Sequence, residues 1–305
     1  MTIKTLLPSL RQLSYLVALR EHGHFGRAAD ACFVTQSTLS VGIADLERLL
    51  GIVLVERSKR SVRFTDVGEA VVERARGLLR GAEDLSEIAR GASRPLSRTL
   101  RLAAIPTVAP FLLPKILPAI AAEWPDLKLF VREMLTSQAC EALHRGTVDC
   151  VLLALPVECG EVETFEIAVD RLLLGVCAAE DSSTAPILLD DIDVARLLLL
   201  EDGHCLKDHA LAACDRTTAQ SEALLVASTL HTLVQMVDAG MGITLLPEMA
   251  VTAGILSGTR VLSHPLAGAG AERRIALAWR KGSAAARDFA LLGKTIRAAV
   301  EAPHA

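Results

Sequence analysis

Apolar positions in the first fifty residues recur at helical spacing, and polar signals interrupt them at regular points. Leu10, Leu13, Leu16, Val17 and Leu19 share one stripe, which runs to Arg20 and ends at Gly23. A short second helix is predicted from Phe25 to Cys32, with Ala28 and Ala29 small enough for close packing. Val34 ends a tight turn, and Thr35 is a suitable N-cap for a third helix, Gln36 to Leu50, stopped by Gly51. Leu39, Ile43, Leu46 and Leu50 form its inward face, which turns Gln36, Ser37, Thr38, Ser40 and Val41 outward. Val53–Glu56 and Val62–Thr65 read as short strands joined by Arg57-Ser-Lys-Arg-Ser. Three helices followed by a two-stranded wing form the pattern of a winged helix-turn-helix.

The helical period returns over residues 66–91. Asp66 is the expected cap, and Val67, Val71, Ala75, Leu78, Leu79, Ala82, Leu85 and Ile88 form a long stripe. Such a stripe on a helix without a domain of its own needs a partner surface. Residues 92–97 read as a Gly/Ser/Pro hinge. From Arg98 the period switches to alternating strands and helices. The predicted strands are Leu100–Ile105, Leu127–Glu133, Val148–Leu153, Leu172–Cys177, Leu197–Leu200, Leu224–Val226, Ile243–Leu246 and Ile275–Trp279. Helices are expected at Ala109–Glu123, around Cys140–Arg145 and at Leu230–Ala239. This alternation implies a mostly parallel sheet, and its length suits two lobes joined by crossover strands. The expected fold class is therefore α/β with an all-α winged helix-turn-helix N-terminal domain (1–65). A long linker helix (66–91), the hinge and a two-lobed, periplasmic-binding-protein-like regulatory domain (98–305) complete it.

Charge separates the two halves. Residues 1–65 hold nine Lys/Arg and five Asp/Glu, and residues 66–305 hold 23 and 31, so a module of +4 precedes a body of −8. A basic module on an acidic body suggests a nucleic-acid contact at one end. Aromatic residues are only 3%, which argues against base-stacking on single strands. No apolar run reaches the ~18 residues of a membrane span. The Leu6-Leu7-Pro8 start is too short for a signal-peptide core, so a cytoplasmic protein without membrane contact is expected. Seven cysteines, an odd number scattered along the chain, argue against a disulfide framework and for thiols with individual roles. Cys150 and Cys177 fall in apolar strands and Cys32 in a packed helix. Cys159 stands between Glu158 and Glu161, whose charge disfavours thiolate, and Cys140 is undecided.

Cys205 and Cys214 carry the densest candidate chemistry. The apolar run to Leu200 reads as a buried strand, Glu201-Asp202-Gly203 as a turn, and Leu206, His209, Ala210 and Ala213 as a helix. Cys205 then lies near a helix N-terminus beside His204 and Lys207, surroundings that favour thiolate. A helix continuous to Cys214 would hold the two Cα atoms roughly 13 Å apart. A disulfide needs about 4.4–6.8 Å, so the pair could bond only if the segment unwinds. Inert core thiols are one alternative; a metal set of Cys205, His209 and Cys214 is another, but it lacks a fourth ligand. Thr107, after the first regulatory strand, and Thr136, after the second, each open a helix at the C-terminal edge of the sheet. They are either plain N-caps or the rim of a polar ligand crevice. Arg57, Lys59, Arg60 and Arg63 form a basic wing, to position phosphates or simply to be solvated.

Residue order supplies a further reading. Phe25-Gly-Arg-Ala-Ala, Val34-Thr-Gln-Ser-Thr-Leu-Ser, Asp45-Leu-Glu, Leu54-Val-Glu-Arg and Phe64-Thr-Asp-Val-Gly resemble the signature of LysR-type transcriptional regulators. The run from Leu200 through His204 and Cys205 to Cys214 resembles the redox segment of the family's peroxide-sensing members. The resemblance implies that Thr35, Gln36, Ser37, Thr38 and Ser40 serve DNA contact at the major groove, and that the linker helix pairs antiparallel with a second copy. It also implies a Cys205–Cys214 switch oxidised by hydrogen peroxide. Thr107, Thr136, His204 and an arginine of the Arg273-Arg274 pair would hold or activate the peroxide. The implied partners are double-stranded promoter DNA, hydrogen peroxide, RNA polymerase and further copies in a homotetramer. The implied protein is an activator and not an enzyme, and no cofactor or metal is expected. A LysR-type regulator of a small anionic metabolite, and a thiol peroxidase or oxidoreductase, are the competing readings.

Overall fold

The N-terminal helices form where the apolar stripes lie. The computed structural model describes residues 7–57, 62–91, 95–179, 187–214, 226–267 and 271–302. Elements are numbered in chain order. In α1 (Leu10–His22), Ser9 and Gln12 form a reciprocal capping box, and Gly23 closes the helix in the left-handed conformation. Helix α2 (Phe25–Ala31) packs the buried Ala28 and Ala29 into the module. Helix α3 (Gln36–Leu50) begins at Thr35, whose hydroxyl accepts from the Thr38 N–H. Leu39, Ile43 and Leu46 meet Tyr15, Leu16 and Leu19 in one core, but Leu50 is exposed, because the helix ends beyond the edge of that core. A side chain at Gly42 would stand 2.6 Å from the Tyr15 ring, so the α1–α3 approach depends on glycine there. Strands β1 (Val55–Arg57) and β2 (Val62–Phe64) pair antiparallel as the wing.

Helix α4 (Asp66–Gly91) departs from the expectation in two respects. Thr65, not Asp66, caps it: the Thr65 hydroxyl accepts from Gly68 N–H at 3.0 Å. The stripe is not wholly without an intrachain surface. Val72 and Ala75 are buried in the winged-helix core, with Val71 and Leu79 against it. Val67, Leu78 and Leu85 remain exposed. The helix outruns the small module, so only the part of the stripe beside α1 is covered.

The chain divides into two compact units, one of Met1–Ser93 with Arg145–Thr147 and the other of Arg94–His144 with Val148–Ala305. In the second, β3 (Thr99–Ala104), β4 (Lys128–Glu133) and β5 (Cys150–Leu155) are mutually parallel, β3 lying between the other two. Strand β6 (Val162–Cys177) is sixteen residues long. Its first half pairs with β12 (Glu272–Arg280), which also pairs with β5. Its second half pairs with β10 (Thr244–Pro247) and β11 (Val261–Ala267). These pairings are antiparallel, so the sheet is mixed rather than mostly parallel. The first half of β6, which the sequence pattern does not reveal, makes it a crossover strand. Short strands β7 (Ile187–Leu188), β8 (Leu199–Leu200) and β9 (Val226–Ala227) complete the set.

Two apolar cores result. One gathers β3, β5, β12, α5 (Ala109–Glu123), α6 (Thr136–His144) and α10 (Ala286–Glu301). The other gathers the far half of β6, β8, β10, α8 (Leu230–Asp238) and α9 (Glu248–Thr252). Helix α7 (Cys205–Ala213) contributes to both, because Cys205 lies in the first core while Leu206, Ala210 and Leu211 lie in the second.

Candidate functional site

The boundary between the two cores collects most of the predicted polar residues. β8 delivers the chain to a turn in which Gly203 adopts a positive φ, and α7 starts immediately after it. Cys205 is the first residue of α7 and only 4% exposed. Its backbone N–H donates to the Thr136 hydroxyl at 3.4 Å, and Thr136 N–H donates to the Gly203 carbonyl. The start of α6 is thereby tied to the turn before Cys205.

The expected thiolate is not the favoured state. Burial pushes the Cys205 thiol up; hydrogen bonding to Thr136, the nearby Arg273 charge and the Ala154 backbone act in the opposite direction but do not outweigh it. Lys207 does not supply the expected cation, because its ammonium pairs with Asp202 at 2.7 Å. His204 does not supply one either. Burial lowers its pKa, so the ring is neutral, against the opposing pull of Glu201, the Ser228 backbone and Glu133. Neither His204 ring nitrogen has a well-formed hydrogen bond among the described residues, although the side chain is 3% exposed.

Arg273 and Arg274 part company. Arg273 is 1% exposed. Its Nε donates to Asp170 Oδ2 at 2.9 Å, Nη1 to the Thr107 hydroxyl and Nη2 to the Thr107 carbonyl. Arg274, one residue on and on the opposite face of β12, pairs with Glu166 at the surface and is not part of this cluster. Thr107 is accordingly not an N-cap: α5 starts two residues later without a side-chain cap, and the hydroxyl is an acceptor for Arg273. Asp170 was missed by sequence reasoning. The available signal was an acid two residues before Leu172, on the same strand face as that buried leucine, where an unpaired charge would be costly. Its other oxygen accepts from Met249 N–H, so the carboxylate joins β6 to α9.

Cys205 and Cys214 are both thiols, at opposite ends of a continuous helix. Cys214 packs against the second core, away from the cluster around Cys205. His209, one turn after Cys205, bonds the Pro156 carbonyl through Nε2. A disulfide does occur elsewhere: Cys140 is bridged to Cys159, in place of the separate reduced thiols that the scattered cysteines suggest. Nineteen residues separate them in sequence, but the fold brings their Cα atoms to 5.3 Å.

In the winged-helix unit, Gln36, Ser37 and Thr38 are exposed at the start of α3, Ser40 is half-buried and Val41 is exposed. The hydroxyl of Thr35 bonds those of Ser37 and Thr38. Arg63 is exposed on β2 and Arg57 ends β1. Lys59 and Arg60 lie outside the described residues.

A bacterial regulatory helix-turn-helix protein profile of the lysR family matches residues 10–69, and the LysR substrate binding domain matches residues 93–300. The chain belongs to the LysR family. Among its LysR relatives is the DNA-binding transcriptional dual regulator OxyR of Escherichia coli, 39% identical over 301 residues, 96% of each chain. The HTH-type transcriptional regulator EstR of Acinetobacter baylyi is 49% identical over 251 residues, 82% of this chain and 83% of that one. A full-length OxyR variant from Pseudomonas aeruginosa superposes with a TM-score of 0.76 at 33% identity, covering 95% of this chain and 94% of its own. An H2O2-bound OxyR variant from Corynebacterium glutamicum gives 0.65 at 31% identity over 97% and 94%. No helix among the described residues of this LysR protein is long and apolar enough to cross a membrane.

Proposed function

We propose that this LysR-family protein is a cytoplasmic, DNA-binding transcription regulator that senses hydrogen peroxide through Cys205 and Cys214. The observation that carries the proposal is the placement of one thiol among buried polar groups, with the other at the far end of the same helix. Thr136 holds the Cys205 backbone, Thr107 anchors a buried arginine, and His204, the residue before Cys205, is a buried neutral ring. The relatives named as peroxide-inducible activators support the choice of ligand.

In the proposed chemistry the Cys205 sulfur attacks one peroxide oxygen, forming a sulfenic acid and releasing water. The Cys214 sulfur then displaces the hydroxyl, giving the disulfide and a second water. A helical separation of roughly 13 Å cannot become a bond while α7 stands, so oxidation must unwind it. Because α7 spans two cores, unwinding alters both. The Cys205 thiol is pushed up by burial, so speed has to come from groups that bind and polarise peroxide.

Cysteine mapping by mass spectrometry after stoichiometric peroxide tests the reading. A Cys205–Cys214 bridge is the expected result, and an untouched pair would favour regulation by a small anionic metabolite. Thr107→Val should slow oxidation of Cys205 by peroxide more than its alkylation by iodoacetamide, and Thr107→Ser should restore the wild-type ratio. Equal slowing of both reactions would reduce Thr107 to an anchor for Arg273.

For DNA we propose that Gln36, Ser37, Thr38 and Ser40 approach base edges while Arg57, Lys59, Arg60 and Arg63 neutralise phosphates. The exposed Val67, Leu78 and Leu85 of α4 support pairing with a second copy, each apolar side chain contributing roughly 1.5–3 kcal/mol if fully covered. Two different self-contacts would then give a homotetramer able to recruit RNA polymerase. Leu78 is 60% exposed, so Leu78→Asp should fold normally but dissociate the α4 pairs in sedimentation equilibrium and weaken operator binding. An unchanged assembly would remove α4 as the pairing element.

A further inference from the structure

The Cys140–Cys159 bridge lies outside the proposed peroxide chemistry but holds both elements that touch the start of α7. Cys140 and Thr136 stand four residues apart on α6, one above the other on the same face. The Thr136 hydroxyl accepts from Cys205 N–H. Cys159 belongs to the segment after β5, and that segment presents the Pro156 carbonyl to His209. Cys205 and His209 are likewise four apart on α7. The bridge therefore links the two elements that hold Cys205 and His209 in the first half of α7. A second tie joins the same elements, since His144 Nε2 lies 2.7 Å from the Cys159 carbonyl oxygen.

Both bridged cysteines lie in the same apolar core as Cys205, with Ala139, Ala142 and Leu143 around them. Reduced, they would be two small, weakly polar groups in an apolar setting, which the core tolerates. The fold is thus compatible with either state, while the firmness of the tie between α6 and the Pro156–Cys159 segment differs between them. A bridge in a reducing compartment is more often a regulated couple than a permanent staple.

We infer that Cys140 and Cys159 form a second, reversible dithiol–disulfide couple whose state sets how fast Cys205 reacts. This rests on the reading of Cys205 as the sensing thiol. The exchange partner is a low-molecular-weight disulfide. Two electrons and two protons pass from the Cys140 and Cys159 thiols to the partner, one S–S bond forms in the protein, and the partner leaves as thiol. The bridged form holds Thr136 and the Pro156 carbonyl on α7, and the reduced form loosens them.

The test uses the full-length chain equilibrated with dithiothreitol and its cyclic disulfide at graded ratios, quenched by alkylation and mapped by mass spectrometry. The Cys140 and Cys159 peptides should interconvert as one two-electron couple, the oxidised-to-reduced ratio changing about tenfold for each tenfold change in the buffer ratio. A pair that stays bridged at every ratio while the chain remains folded, or never bridges, overturns the inference. In Cys214→Ala, where Cys205 has no resolving thiol, alkylation of Cys205 should differ several-fold between preparations with the Cys140–Cys159 couple oxidised and reduced. Equal rates overturn the coupling. Cys140→Ala should behave as the reduced form, and the comparison of two poises of one protein stands even if that variant folds poorly. The couple should titrate unchanged in Cys205→Ser. A normal titration with no oxidation of Cys205 by peroxide would sink the sensor reading alone, and a responsive Cys205 beside an inert pair would sink this inference alone.

Discussion

Cys205→Ser should abolish the peroxide-dependent change in transcription and every trace of a bridge to Cys214. Serine fills nearly the same space at a site 4% exposed, so the loss would come from chemistry and not from packing. Reduced-state operator binding should persist, since Cys205 belongs to a different compact unit from α3. A reporter gene and non-reducing peptide mapping measure the two effects; a peroxide response that survives the substitution rules the mechanism out. Cys214→Ala gives the complementary result. The sulfenic acid should accumulate on Cys205, with dimedone labelling above that of wild type, because nothing condenses with it. No rise in labelling would remove Cys214 as the resolving thiol.

The second large effect is on stability. Arg273→Met keeps a similar volume but strips Asp170 of its counter-charge in a site where the two side chains are 0% and 3% exposed. Removing one partner of a buried ion pair leaves the other desolvated and costs about 3–5 kcal/mol. The Met249 N–H still donates to Asp170, which offsets only part of this. A urea denaturation midpoint well below wild type is expected. The double variant Arg273→Met, Asp170→Leu should recover much of the loss, because it removes the stranded charge as well. A single variant with an unchanged midpoint would show that the pair contributes no net stability. The same substitution should slow peroxide oxidation of Cys205, and activity and stability losses are separated by assaying at a denaturant-free temperature where the variant stays folded.

The helices were legible in the chain because their cause is local. Gly23 and Gly51 end α1 and α3 as read, Thr35 caps α3, and α5 spans Ala109–Glu123 as expected. Side chains at i, i+3 and i+4 share a face whatever lies beyond. Strands were read less completely, since a strand's partner is distant in sequence. The first half of β6 was not identified, and its inward face changes at an irregularity in its pairing with β12, so that Ile167 is buried but Val169 exposed; β11 and α10 were not identified from the pattern either. Burial on the linker helix was misread for a related reason: the stripe gives the face of α4, but the length of the winged-helix core decides how much of that face is covered.

The candidate site divides along the same line. By itself the sequence determined that Cys205 stands near a helix start, that Cys214 would lie far from it on a continuous helix, and that Thr107 and Thr136 follow strands. All four rest on local order. It could not choose between Arg273 and Arg274, because neighbours on a strand face opposite sides and only the sheet order says which side is the core. It could not reveal that Asp170 meets Arg273 across 103 residues, nor that Cys140 and Cys159 come within bonding range. It also suggested a thiolate from flanking charges, whereas burial outweighs them once the helix start lies inside a core. Pairing between distant residues and the degree of desolvation depend on which surfaces the folded chain brings together, and no local period encodes that.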